Sequence, residues 1–301
     1  MRIIDFADGD GVPAIGQGTW MMAEGHQPRD EEIKALRVGF DLGLTLVDTA
    51  EIYGGGASEE LVGEAMEGRR DELFVVSKVA PSHASSLGTI RALEASLKRL
   101  RTDRIDLYLL HWRGGFPLAE TVDALGRLRQ EGKILMWGVS NFDTDDMQEL
   151  METPGGRACA TNQILYNPEE RGTEYDLLPW MRREGMPAMA YSPVGQGGSL
   201  LRHEALARVA ERHGVSPAQV ALAFAIRDGN VIAIPKAGTQ EHVRQNAAAL
   251  HLHLEAEDMA VLDAAFPPPS RKVPLSIICP DIGFGRGFDE PASDCASMPG
   301  T

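Results

Sequence analysis

The chain is poor in positive charge and in cysteine. It carries 29 Lys and Arg against 44 Asp and Glu, a formal net charge of −15 with His neutral. Nucleic acid is therefore not expected as a partner, because phosphate binding needs a basic face. An anionic membrane surface is disfavoured for the same reason. The three cysteines, Cys159, Cys279 and Cys295, are spaced for neither a metal knuckle nor a disulfide framework. No run approaches the ~18 apolar residues of a membrane span. The start, Met1 to Asp8, lacks the basic and apolar segments of a signal peptide, so a cytoplasmic protein is expected.

A dinucleotide fingerprint is also incomplete. Gly16-Gln17-Gly18-Thr19-Trp20-Met21 lacks the third glycine of G-x-G-x-x-G, which weighs against a doubly wound open sheet. What is present is 301 residues, 43% of them hydrophobic, ordinary for a folded chain of one large domain or two small ones.

Short apolar runs alternate with amphipathic stretches. Strands are expected at Ile15–Trp20, Leu44–Asp48, Leu73–Val79, Ile105–His111, Ile134–Ser140, Ala160–Leu165, Pro187–Tyr191 and Val231–Ile234. Helical spacing covers Asp30–Leu42, Glu59–Met66, Thr89–Leu100, Leu118–Gln130, Asp145–Met151, Leu177–Glu184, His203–His213, Pro217–Arg227 and Gln240–Leu250. Eight strand–helix units in this length predict a (β/α)₈ TIM barrel, a single α/β domain over 1–266. Residues 267–301, rich in Pro and Gly, read either as a disordered terminus or as a flap over the barrel mouth carrying Phe284 and Phe288.

Strand periodicity puts Leu44, Leu46 and Asp48 on one face, Phe74, Val76 and Lys78 on another, and Ile105, Leu107, Leu109 and His111 on a third. Three successive strands thus end in an ionisable residue in line with an apolar face. In a barrel that end carries the chemistry. A lone Asp, Lys or His at a strand end is usually a cap, a snorkelling cation or a hydrogen-bonded core residue. Three together are harder to dismiss, in a chain with only six lysines. Tyr53 follows Asp48 by five residues, before Gly54-Gly55-Gly56. A phenol near Lys78 is expected to have its pKa lowered, with Asp48 keeping the lysine charged, which makes a tuned general acid.

These segments resemble the aldo-keto reductases over about residues 1–266, and among them the small bacterial aldehyde and methylglyoxal reductases. The resemblance rests on Gly16-Gln17-Gly18-Thr19-Trp20, Asp48-Thr49-Ala50-Glu51-Ile52-Tyr53-Gly54, Lys78 and Leu110-His111-Trp112. Gly138-Val139-Ser140-Asn141-Phe142, Asn162-Gln163, Tyr191-Ser192-Pro193 and Ile234-Pro235-Lys236 complete it. It implies reduction of small aldehydes or ketones with a nicotinamide dinucleotide and no metal. Asp48, Tyr53, Lys78 and His111 are the implied catalytic residues, with Tyr53 as acid and neutral His111 on the carbonyl oxygen. Thr19, Trp20, Ser140, Asn141, Gln163, Tyr191, Ser192, Pro193, Lys236, Ala237, Thr239, His242 and Asn246 are the implied cofactor contacts. Ser140, Asn141 and Gln163 suit the carboxamide, Tyr191 a ring stack, and Ser192–Gly198 a pyrophosphate.

One position departs from the family. His242 stands where NADP-specific members carry Arg, which offers a permanent, bidentate charge. NADPH remains the expected cofactor because Lys236 and Thr239 are present, and NADH use stays open. Arg244 is expected on another helix face. Trp20, Tyr53 and Trp112 form the expected substrate wall, suited to a small carbonyl compound. Arg113 either favours an acidic substrate or is merely solvated. His251-x-His253 is a weak metal pattern, and Asp143–Asp146 reads as a solvated helix start. Rival readings are a Schiff-base lyase using a neutral Lys78 and a non-catalytic nicotinamide-binding module. A monomer is the simplest expectation.

Overall fold

The computed structural model describes residues 2–7 and 11–278. Among these residues a two-stranded antiparallel hairpin, β1 (Ile3–Asp5) and β2 (Gly11–Pro13), precedes the main sheet. Then come β3 (Gln17–Gly18), α1 (Arg29–Asp41), β4 (Leu46–Asp48), α2 (Ala57–Ala65), β5 (Phe74–Val79), α3 (Ser86–Leu100), β6 (Ile105–Leu110) and α4 (Leu118–Gln130). The second half is β7 (Ile134–Ser140), α5 (Thr144–Glu152), β8 (Cys159–Leu165), α6 (Leu177–Arg183), β9 (Ala188–Tyr191), α7 (Glu204–His213), α8 (Pro217–Ala225), β10 (Val231–Ala233), α9 (Gln240–Ala248) and α10 (Ala256–Ala265).

Strands β3 to β10 pair in parallel, each with its sequence neighbour. Bridges Ile15↔Ala233 and Gly18↔Lys236 join the first strand to the last and close the (β/α)₈ barrel. Closure needs glycine at position 18, where a Cβ would stand 2.5 Å from the Ile234 carbonyl oxygen. The strands are buried on both sides, as parallel sheets are, which is why they read as apolar runs. Leu107, Leu109, Val75 and Val76 are fully enclosed. Each such side chain contributes about 1.5–3 kcal/mol of transfer free energy.

Local signals set the helix starts. Ser85 accepts the Gly88 N–H at the start of α3. Capping boxes open α5 through Asp143 and Asp146, and α8 through Ser216 and Gln219, with Pro217 in the first turn of α8. The first strand and the end of the last barrel helix differ from expectation, and two further elements, the β1–β2 hairpin and α10, were not foreseen. The first barrel strand is only two residues long, because loop geometry starts at Thr19. The hairpin β1–β2 is too short to show periodicity. Helix α10 carries no clear apolar stripe, and among its apolar residues only Leu262 is fully enclosed. Residues 249–251 form a single 3₁₀ turn and no strand follows; His253 pairs with Arg2 instead. Phe284, Phe288, Cys279 and Cys295 lie outside the described residues. No described helix is long and apolar enough to cross a membrane.

Candidate active site

The carboxyl ends of the strands surround a cavity of about 590 Å³. Asp48 ends β4, Lys78 is the penultimate residue of β5, and His111 follows β6. The parallel register carries their side chains to one place. Lys78 Nζ donates to Asp48 Oδ2 (2.8 Å), to the Thr49 carbonyl (2.8 Å) and to the Tyr53 hydroxyl (3.3 Å). An ammonium has three N–H donors, and here are three acceptors for it. Such saturation favours the charged lysine, although burial pulls Lys78 below and Asp48 above their ordinary ranges. Asp48 Oδ1 accepts from Gln163 Nε2 at 2.7 Å, so both carboxylate oxygens are engaged.

Tyr53 sits on a turn whose next three residues, Gly54, Gly55 and Gly56, all have positive φ. Its hydroxyl accepts from Lys78, leaving its own proton free for the cavity. The expected lowering of its pKa is corrected. Burial, and then the Asp48 carboxylate, hold the phenol well above its usual range, so it stays protonated. His111 meets Tyr53 edge to face at 5.7 Å between ring centres. Burial and the Lys78 charge press its pKa well below the imidazole range, so the ring is neutral. Its Nδ1 is buried without a partner. A proton there would have no acceptor, which favours the tautomer with its N–H on Nε2.

The next three strand ends are lined by neutral polar groups. A register shift between Trp137 and Val139 re-aims the end of β7. Ser140 Oγ donates to the Gln163 carbonyl, and Asn141 Nδ2 to the His111 carbonyl. Asn141 adopts φ 59°, a conformation asparagine tolerates. The Tyr191 hydroxyl donates to Asn141 Oδ1 (2.8 Å) and accepts from the Ile278 N–H (3.2 Å). Beyond them, Ser192, Pro193, Lys236, Thr239, His242 and Asn246 line the far end. Lys236 and His242 are exposed there.

Two expected contacts do not line the cavity. The Thr19 hydroxyl donates to the Asp48 carbonyl and accepts from Ser58, and Ala237 is buried in the core. Trp20 and Trp112 do line it. Arg113 is exposed, pairs with Asp146 and Glu149 at the surface, and stands outside the lining, in keeping with the solvated reading of it. Sequence reading missed His26, Gln27, the Ser216-Pro217-Ala218 start of α8, and Ile278. Only the capping box at Ser216 left a signal; the others come from irregular loops.

Residues 14–266 match the model of the aldo/keto reductase family. Methylglyoxal reductase YeaE of Escherichia coli (strain K12) is 50% identical over 281 residues, 92% of this chain and 99% of that protein. Glyoxal reductase of Bacillus subtilis (strain 168) is 34% identical over 256 residues, 84% of this chain and 88% of that one. A crystal structure of an aldo/keto reductase from Klebsiella pneumoniae in complex with NADP and acetate superimposes with a TM-score of 0.90, at 50% identity, covering 92% and 99% of the two chains. This chain belongs to the aldo/keto reductase family.

Proposed function

We propose that the protein reduces small uncharged aldehydes and ketones, methylglyoxal and aromatic aldehydes among them, with NADPH. The observation that carries this reading is the triple hydrogen bonding of Lys78 Nζ to Asp48, Thr49 and Tyr53 at the floor of the cavity. The lining fits a nicotinamide dinucleotide. Neutral donors and acceptors on Ser140, Asn141 and Gln163 suit a carboxamide, and the Tyr191 ring offers a stacking face. The starts of α8 and α9, with Lys236, suit phosphate through their N–H groups and charge. Lys236 and Thr239, both in the lining, favour the 2′-phosphate even with His242 in place of Arg. The relative from Klebsiella pneumoniae, with NADP in its structure, supports the same cofactor.

When bound, the reduced nicotinamide supplies a hydride to the carbonyl carbon. His111 donates from Nε2 to the carbonyl oxygen and orients it. Tyr53 gives its proton to the oxygen as charge develops there. Lys78 then stabilises the phenolate, and Asp48 keeps Lys78 in place. Trp20 and Trp112 give the substrate apolar walls. Among the described residues, Arg113 next to Trp112 is engaged by Asp146 and Glu149, which favours uncharged carbonyls. An imine-forming enzyme needs a neutral, unpaired amine, and Lys78 has all three donors committed.

The test is oxidation of NADPH with methylglyoxal and a set of aromatic aldehydes, repeated with NADH. Turnover with NADPH at lower KM than with NADH is expected. Tight NADPH binding without turnover across the panel would contradict the reading.

A further inference from the structure

A second buried ion pair lies behind the catalytic groups. Glu59, in the first turn of α2, is fully enclosed. Its Oε2 accepts from Arg99 Nε at 2.6 Å, and its Oε1 from Ser77 Oγ at 2.5 Å. Arg99 also donates to Ser96 Oγ, both near the end of α3. Ser77 immediately precedes Lys78 and points to the opposite face of β5. Arg99 in turn supports the Tyr53 turn. At Gly56, φ 98°, a Cβ would stand 2.7 Å from Arg99 Cδ and 2.9 Å from Nε. The pair therefore touches both the turn that carries Tyr53 and the strand that carries Lys78.

We propose that Arg99 and Glu59 are positioning residues for carbonyl reduction, Arg99 seating the Tyr53 turn and Glu59 fixing a negative charge behind Lys78. This rests on the reductase reading above. The Tyr53–Lys78 separation of 3.3 Å is already at the long end of a hydrogen bond, so a small shift of the turn breaks it. Misplacement by about 1 Å costs on the order of a hundredfold in rate. The groups that act on Lys78 are Asp48 from β4, Tyr53 from its turn, His111 after β6 and Glu59 from α2, with Arg99 of α3 against Glu59. Removing the Glu59 charge leaves one fewer anion to hold the ammonium. The alkaline limb of kcat then moves to lower pH.

The experiment compares Arg99→Met, Arg99→Lys, Glu59→Gln and Ser77→Ala with wild type. It measures kcat for methylglyoxal against pH, and NADPH Kd by fluorescence. Arg99→Met is expected to lose about tenfold or more in kcat with NADPH Kd within about twofold, and Arg99→Lys to recover part of it. Glu59→Gln is expected to move the alkaline limb downward. Unchanged kcat in Arg99→Met, or parallel loss of NADPH binding, overturns the proposal. Should Arg99→Met and Glu59→Gln not fold, Ser77→Ala decides. A lowered kcat with a displaced limb supports the role, and a wild-type profile overturns it. An inactive wild type would instead remove the reductase reading itself.

Discussion

The two ends of the cavity are built differently. At the Tyr53 end, Asp48, Lys78 and His111 are buried. There Lys78 and both Asp48 oxygens already have partners. At the far end, Lys236 and His242 are exposed, and the polar framework comes from helix starts and loop backbone. The first end has its hydrogen bonds made within the protein, which suits groups that must stabilise a developing charge without rearranging. The second keeps its charged side chains exposed, free to meet the proposed cofactor. On the proposed function, fixed geometry serves chemistry and exposed side chains serve affinity.

Lys78→Met is the strongest way to break the comparison. It leaves Asp48 buried without its cation and should cost about 3–5 kcal/mol of stability, together with nearly all turnover. Urea unfolding and NADPH oxidation check the two parts. A much smaller loss in Asp48→Asn/Lys78→Met than the sum of the single variants would show that the pair acts as a unit.

His111 sharpens the comparison through pH. Its folded pKa lies below its unfolded value, so the unfolded chain takes up a proton first as pH falls. Stability from this group is present above about pH 6.5 and declines by up to about 1.4 kcal/mol per pH unit below it. The slope should be shallower in His111→Gln, as measured by denaturation from pH 7 to 5. The neutral ring also predicts that kcat shows no limb from His111 near pH 6.5.

At the far end effects should fall on binding and not on kcat. His242→Arg is expected to raise the preference for NADPH over NADH by about tenfold, equivalent to about 1.4 kcal/mol. Lys236→Met should weaken NADPH more than NADH. Kd measurements with both dinucleotides check each. The smallest effect is expected at Lys272, which meets Asp143, Asp145 and Asp176 on the surface. Lys272→Ala should cost about 0.2–1 kcal/mol of stability, and less in high salt.

The meeting of Asp48, Tyr53, Lys78 and His111 was legible in the sequence because regular structure builds that end. Period-two strands in parallel register carry Asp48, Lys78 and His111 to the same end of the barrel, and glycines mark the Tyr53 turn. The helices likewise showed themselves through spacing, as at α4, whose bounds match the expected ones. Legibility failed where loops and charge burial decide. His26, Gln27 and Ile278 reach the cavity from segments without period. The direction of the Tyr53 pKa shift depends on enclosure, which residue types alone do not report. Arg113 looked free on a loop, and only the fold brings Glu149 to it. Thr19 sits beside lining residues in sequence, yet its hydroxyl is spent on the Asp48 carbonyl.

The central claim is that Tyr53 delivers the proton, in a site whose Lys78 and Asp48 hydrogen bonds are made within the protein. The direct measurement is NADPH Kd and kcat with methylglyoxal for Tyr53→Phe beside wild type. The account predicts an NADPH Kd within about twofold of wild type and a kcat lower by about 10²–10⁴. A Tyr53→Phe protein that turns over at the wild-type rate would contradict it.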